Sequence, residues 1–108
     1  MNKQTQSILK KCGVPSHLLG YDYLGEAMEI IHADRSMIHA IVGKVYPAVA
    51  EKFGSTPSRV ERAIRHAIEI AFNNLTPDEV KEIFGNTLRY SYKATNSHFI
   101  AALVELME

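Results

Sequence analysis

The chain has 108 residues, 46% of them hydrophobic, which fits one domain over residues 1–108 with a real core. Twelve basic and twelve acidic residues cancel, so net charge neither names nor excludes a nucleic-acid partner. The single cysteine, Cys12, excludes an internal disulfide, and no Cys/His spacing reads as a zinc site.

The periodicity predicts helices nearly throughout and no convincing strand. A first helix over 4–12 stops at Gly13, with Pro15 just beyond. A second over 20–33 places Leu24, Ala27, Met28 and Ile31 on one face. Asp34 is placed to cap a third, over 35–44, with Met37, Ile38, Ile41, Val42 and Val45 inward. Pro47 interrupts or restarts it, because proline lacks the N–H that a helix interior needs. A fourth, over 46–53, turns Val49, Ala50 and Phe53 inward and ends at Gly54.

After the turn GSTPS, Thr56 caps and Pro57 opens a long helix over 57–73. In NNLTPDEVKEIFG, Thr76 caps the next helix, Pro77 takes its first position and Glu79 completes a capping box before Gly85. Residues 86–94 read as extended or irregular. Thr95 or Asn96 caps a last helix with Phe99, Ile100, Leu103, Val104 and Met107 in one stripe. The expected fold is all-α, a bundle of about six helices.

No apolar run approaches the roughly 20 residues that span a bilayer. The N-terminus lacks the apolar core of a signal peptide. A reduced, cytoplasmic setting is the expectation. No nucleophile–base arrangement and no glycine-rich phosphate loop occur, so neither catalysis nor a bound cofactor or metal is expected. The histidines at 17, 32, 39, 66 and 98 are dispersed and read as surface or partly buried side chains. Cys12 reads as a small core residue. Tyr21, Tyr23, Tyr90 and Tyr92 read as core or interface, since basic residues around them are few.

The stretch TPSRVERAIRHAIEIAF, residues 56–72, carries the chemistry. On a helix, Val60, Ala63, Ile64, Ala67, Ile68, Ala71 and Phe72 gather on one side. Ser58, Arg62, Arg65, His66 and Glu69 lie opposite, flanked by Arg59 and Glu61. The preceding short helix and glycine turn make this a helix-turn-helix pattern, whose second helix enters the major groove by its N-terminal half. Arginine can donate twice to guanine O6 and N7, and glutamate can accept from cytosine N4. Arg59, Glu61 and Arg62 are therefore the candidate base contacts. Thr56 and Ser58, with the free backbone N–H groups of the first turn, suit a phosphate. A solvated helix face offers the same residues, with Glu61 or Glu69 pairing with Arg65, so the pattern alone leaves both readings open.

The segments GVPSHLLGYDYLGEAMEII, VYPAVAEKFGSTPSRVERAIRHAIEIAF, IFGNT and TNSHFIAALVE occur in that order. Together they resemble the C-terminal effector domain of the stage 0 sporulation protein A family, the sporulation master response regulators. The resemblance implies an all-helical domain with a central helix-turn-helix. It also implies binding to double-stranded DNA at TGTCGAA-type boxes, often in tandem, to activate or repress transcription. Arg59, Glu61 and Arg62 match the family's base-reading positions, and Ser58, Arg65 and His66 match positions near the DNA backbone. The family's controlling receiver domain is not part of this sequence, so an excised effector domain is expected, with a natural stand-alone domain as the alternative.

The resemblance also implies a contact with the RNA polymerase sigma factor through residues 74–85. There this sequence departs from the family: Phe72 stands for a tryptophan, and TPDE replaces the usual pattern. Gly25 stands where an arginine is common, and His98 where a glutamate closes a capping box. The domain is expected to dock as a dimer on neighbouring boxes, with its last helix as a candidate contact. The rival reading is a helical interaction module that binds sigma factor or another regulator without specific DNA binding. Such a module has no need of Arg59, Glu61 and Arg62 on one edge, and its binding would resist salt.

Overall fold

Caps and glycines set the helix boundaries in a computed structural model that describes residues 1–85 and 95–108. Among those residues every regular element is helical. Helix α1, Lys3–Lys11, begins at Asn2, whose Oδ1 accepts from the Thr5 N–H at 2.8 Å and the Thr5 hydroxyl at 2.9 Å. That side chain also satisfies Thr5, which is fully buried. The helix closes through Gly13 at φ +80°, and the Val14 N–H returns to the Leu9 carbonyl at 3.0 Å.

Helix α2, Leu19–Ala33, buries Leu24, Ala27, Met28 and Ile31, the stripe its spacing predicts, together with Tyr23. Gly20 is where α2 meets the long helix α4, Pro57–Asn74. A Cβ there would stand 2.3 Å from the Ala63 carbonyl oxygen and 2.6 Å from the Ala67 Cβ. Small residues on both helices thus let the two backbones approach. Gly25 is covered by the flexible end of Met1, a gentler constraint.

Residues 35–45 differ from the single α-helix expected. Asp34 does cap, accepting from the Ser36 N–H at 3.1 Å, but Arg35–Ala40 forms a 3-10 helix. Ile41–Val45 then forms a wider π turn, with the Tyr46 N–H returning to Ile41. The changed winding turns Ile41 and Val45 inward and Val42 outward, so Val42 is 72% exposed rather than inward. Met37 and Ile38 are half-buried. Pro47, without an N–H, follows the widened turn as the second residue of α3, Tyr46–Phe53.

Helix α3 ends at Gly54, φ +63°, a left-handed position that suits glycine. Val49 and Ala50 are buried, but Phe53 is 41% exposed and not a core residue. Its ring leans on Tyr23, centroids 5.4 Å apart, at the edge of the core. Helix α5, Pro77–Phe84, carries the predicted capping box. Thr76 Oγ1 accepts from the Glu79 N–H at 3.1 Å, and Glu79 Oε1 from the Thr76 N–H at 3.0 Å. Helix α6, Asn96–Glu105, is capped by Thr95, which accepts from the His98 N–H at 3.2 Å.

The core gathers around α4 and α6. Val60, Ile64, Ala67 and Ala71 of α4 meet Phe99, Ile100 and Leu103 of α6, together with the inner faces of α1, α2 and α3. Each large side chain fully buried there stabilises the fold by roughly 1.5–3 kcal/mol. Phe72 and Phe84 each set a ring 5.6 Å from Phe99. Phe72 therefore keeps an aromatic packing position where the family resemblance expects tryptophan. Cys12 and Tyr23 are core residues, as expected, while Tyr90 and Tyr92 and the irregular segment 86–94 lie outside the described residues. Among the described residues no helix is long and apolar enough to cross a membrane.

Candidate nucleic-acid interface

The turn Gly54–Ser55 joins α3 to α4, so the two helices form the expected helix-turn-helix. Thr56 opens α4 with its Oγ1 accepting from the Arg59 N–H at 3.2 Å. Accepting there leaves the Thr56 hydroxyl proton available to a phosphate oxygen. Pro57 has no N–H, and the Val60 N–H goes to the Thr56 carbonyl at 2.9 Å. Among the described residues, the Ser58 N–H is thus the first-turn donor left over, beside its own exposed hydroxyl. A helix N-terminus with such a donor favours an anion.

Below this turn the exposed side of α4 divides into two strips. Arg59, Arg62 and His66 share one, spaced i, i+3, i+7. With Leu19, Tyr23, Phe53, Gly54, Ser55 and Ala63 they line a shallow open groove. Neither Arg59 nor Arg62 makes an ion pair among the described residues. Both guanidiniums therefore keep their donors for a partner from outside. The exposed carbon of Leu19 (66% exposed) and Phe53 beside them was not foreseen. The spacing of Phe53 predicts a core position, and Leu19 lies before the start of the predicted helix.

Glu61 and Arg65 form the second strip and pair with each other one turn apart. The structure therefore brings six of the predicted contact residues, Ser58, Arg59, Glu61, Arg62, Arg65 and His66, to one end of α4, with Thr56 at its cap. It also gives Glu61 an intrahelical partner, as the solvated-face reading allowed. Such a pair contributes about 0.3–0.5 kcal/mol to the helix, too little to explain the residues as a stability device.

Two residues missed by sequence reasoning stand behind this strip. Asn96, the first residue of α6, donates through Nδ2 to the Tyr46 hydroxyl at 3.2 Å and to the Glu61 main-chain carbonyl at 3.1 Å. Burial pushes the Tyr46 phenol above its usual range, opposed by the Asn96 hydrogen bond and the nearby Arg65 charge. In the sequence Asn96 is legible only as an alternative cap to Thr95. Since Thr95 takes that role, its amide is left for a contact across the fold.

No cluster of His, Cys, Asp and Glu able to hold a metal occurs among the described residues. Burial pushes the Cys12 thiol up to about 12, which keeps it protonated and inert at neutral pH.

The family model described as "Sporulation initiation factor Spo0A C terminal" matches residues 5–107. This is a family of DNA-binding regulatory domains and not of enzymes. A helical fold, a helix-turn-helix with a basic exposed edge, and a match over nearly the whole length agree: the chain belongs to the family of C-terminal domains of the sporulation initiation factor Spo0A.

Proposed function

We propose that this domain reads TGTCGAA-type boxes in double-stranded DNA, with the N-terminal half of α4 in the major groove. The observation that carries this reading is the pair Arg59 and Arg62, exposed, adjacent and without an acidic partner among the described residues. Their guanidiniums suit the O6 and N7 of guanine, and the Glu61 carboxylate suits the N4 of cytosine. The box offers both bases. Thr56 and Ser58 at the helix start, with Arg65 and His66, are assigned to phosphates on either side.

In this reading Glu61 exchanges part of its contact with Arg65 for the base. Arg65 is free to turn to a phosphate. Two domains bind neighbouring boxes as a dimer, and transcription is activated or repressed according to where the boxes lie. In a full-length protein a receiver domain would govern that pairing, within the cytoplasm. Residues 74–85 present Asp78, Glu79 and Glu82 on an exposed acidic face. The family resemblance assigns this segment to a contact with the RNA polymerase sigma factor, although its acidic start departs from the family's pattern.

Fluorescence anisotropy of a labelled duplex carrying two TGTCGAA boxes, beside a scrambled duplex, tests the reading across a salt series. Tight, box-dependent binding that weakens steeply with salt is the expected outcome. Equal, weak binding to both duplexes would overturn it in favour of a protein-interaction module.

A further inference from the structure

Asn96 is far from the exposed edge of α4 in sequence, yet its amide touches the backbone of that helix within its reading half. Its Nδ2 bridges the Tyr46 hydroxyl, on the first helix of the helix-turn-helix, and the carbonyl of Glu61, on the second. One side chain from α6 thus spans both. The Glu61 carbonyl also lies in the body of α4, where helical bonding engages one of its lone pairs. The Asn96 amide takes the other, so the contact is additional to the helix and not a substitute for it.

The environment makes this bridge directional. Asn96 and Glu61 are half-buried and Tyr46 is buried, so competition from water is reduced. The Arg65 charge bears on the Tyr46 hydroxyl and pairs with the Glu61 carboxylate. The bridge therefore meets, through its main-chain carbonyl, the residue whose side chain is assigned to cytosine.

We propose that Asn96 is a positioning residue for DNA reading. It holds the rotation of α4 about its axis relative to α3, and so sets where Glu61 and its neighbour Arg62 meet the base edges. This inference rests on the DNA-reading function proposed above. It adds that the specificity of α4 depends on a residue of α6 that touches no DNA.

The test compares Asn96→Asp and Tyr46→Phe with the wild-type chain. Asn96→Asp keeps size and suits the first turn of α6, because a carboxylate is favoured at a helix N-terminus. It removes both donated bonds and sets a negative oxygen against the Glu61 carbonyl. Tyr46→Phe removes only the hydroxyl. Affinities are measured for the box, for boxes substituted at the single C·G pair assigned to Glu61, and for scrambled DNA, with thermal melting of each variant alongside.

The expected result is a roughly 2- to 30-fold fall in discrimination at that pair for Asn96→Asp. A smaller fall is expected for Tyr46→Phe, with binding to scrambled DNA unchanged in both. A purely structural role would lower the folded fraction and scale all affinities alike, leaving the ratio at its wild-type value. That outcome overturns the inference. If Asn96→Asp does not fold, an unchanged ratio in folded Tyr46→Phe overturns it equally. A wild-type chain that fails to discriminate overturns the DNA-reading function itself, and is recognisable because no variant is needed to see it.

Discussion

At the residue scale, the assigned contacts differ in what their loss should do. Arg62→Ala should cost about 1–3 kcal/mol of discrimination at one guanine, read as a relaxed preference there in a panel of substituted duplexes. Arg65→Gln should instead weaken binding to every sequence alike and reduce the slope of log affinity against log salt by about 1. If Arg65→Gln changed base preference and left the slope intact, its assignment to phosphate would be wrong. Cys12 makes a prediction about pH. Its thiol rises from 9.0 to about 12 on burial, so the folded state favours the neutral form. The stability this contributes is whole below pH 9.0 and is lost as pH rises towards 12. Cys12→Ala should remove that component of alkaline destabilisation, seen as a shallower fall of the urea midpoint above pH 9.0 than in the wild-type chain.

At the scale of elements, most boundaries were legible because they are set by local chemistry. Thr56–Pro57, Thr76 with Glu79, and Gly54 each act on groups within a few residues, and all sit where their sequence places them. The segment 35–45 was not legible, since its winding answers to Pro47 and to burial of Ile41 and Val45, and an α-helical period misplaces Val42. The candidate edge of α4 was legible from its periodicity. Its support was not, because Asn96 and Glu61 are 35 positions apart and neither type names the other. The turn itself offers a test. Gly54→Ala meets no neighbour but must hold φ near +63°, so the cost is backbone strain of about 1 kcal/mol. It should appear as a lower melting temperature with box preference kept.

At the scale of the whole molecule, the crossing of α2 and α4 fixes where the proposed DNA-reading edge sits against the rest of the fold. Gly20 allows no Cβ, because the Ala63 carbonyl is backbone and cannot swing aside. Gly20→Ala should therefore destabilise by about 1–3 kcal/mol through forced separation of the helices, measured by thermal or urea unfolding. Unlike Gly54→Ala, it should also disturb DNA reading in the fraction that folds. A melting temperature equal to wild type would show that the crossing yields easily.

Helix α4 is fastened at three places along its length. Asn96 holds it near Glu61, Gly20 touches it at Ala63 and Ala67, and the Asn74 amide donates to the Gly13 carbonyl at 3.0 Å at its far end. The Gly20 contact lies nearest the middle, so any tilt of the helix would turn about it. At 1.5 Å per residue, each arm from the pivot near residue 65 is about 12 Å long. A tilt of only ~10° would carry each tip by ~2 Å, enough to break a hydrogen bond to a base. The clasp at Gly13 is thus the counterweight of the reading end. A displacement of Asn74, about 13 Å from the pivot, would move Arg59, about 9 Å away on the other arm, by roughly two-thirds as much in the opposite direction.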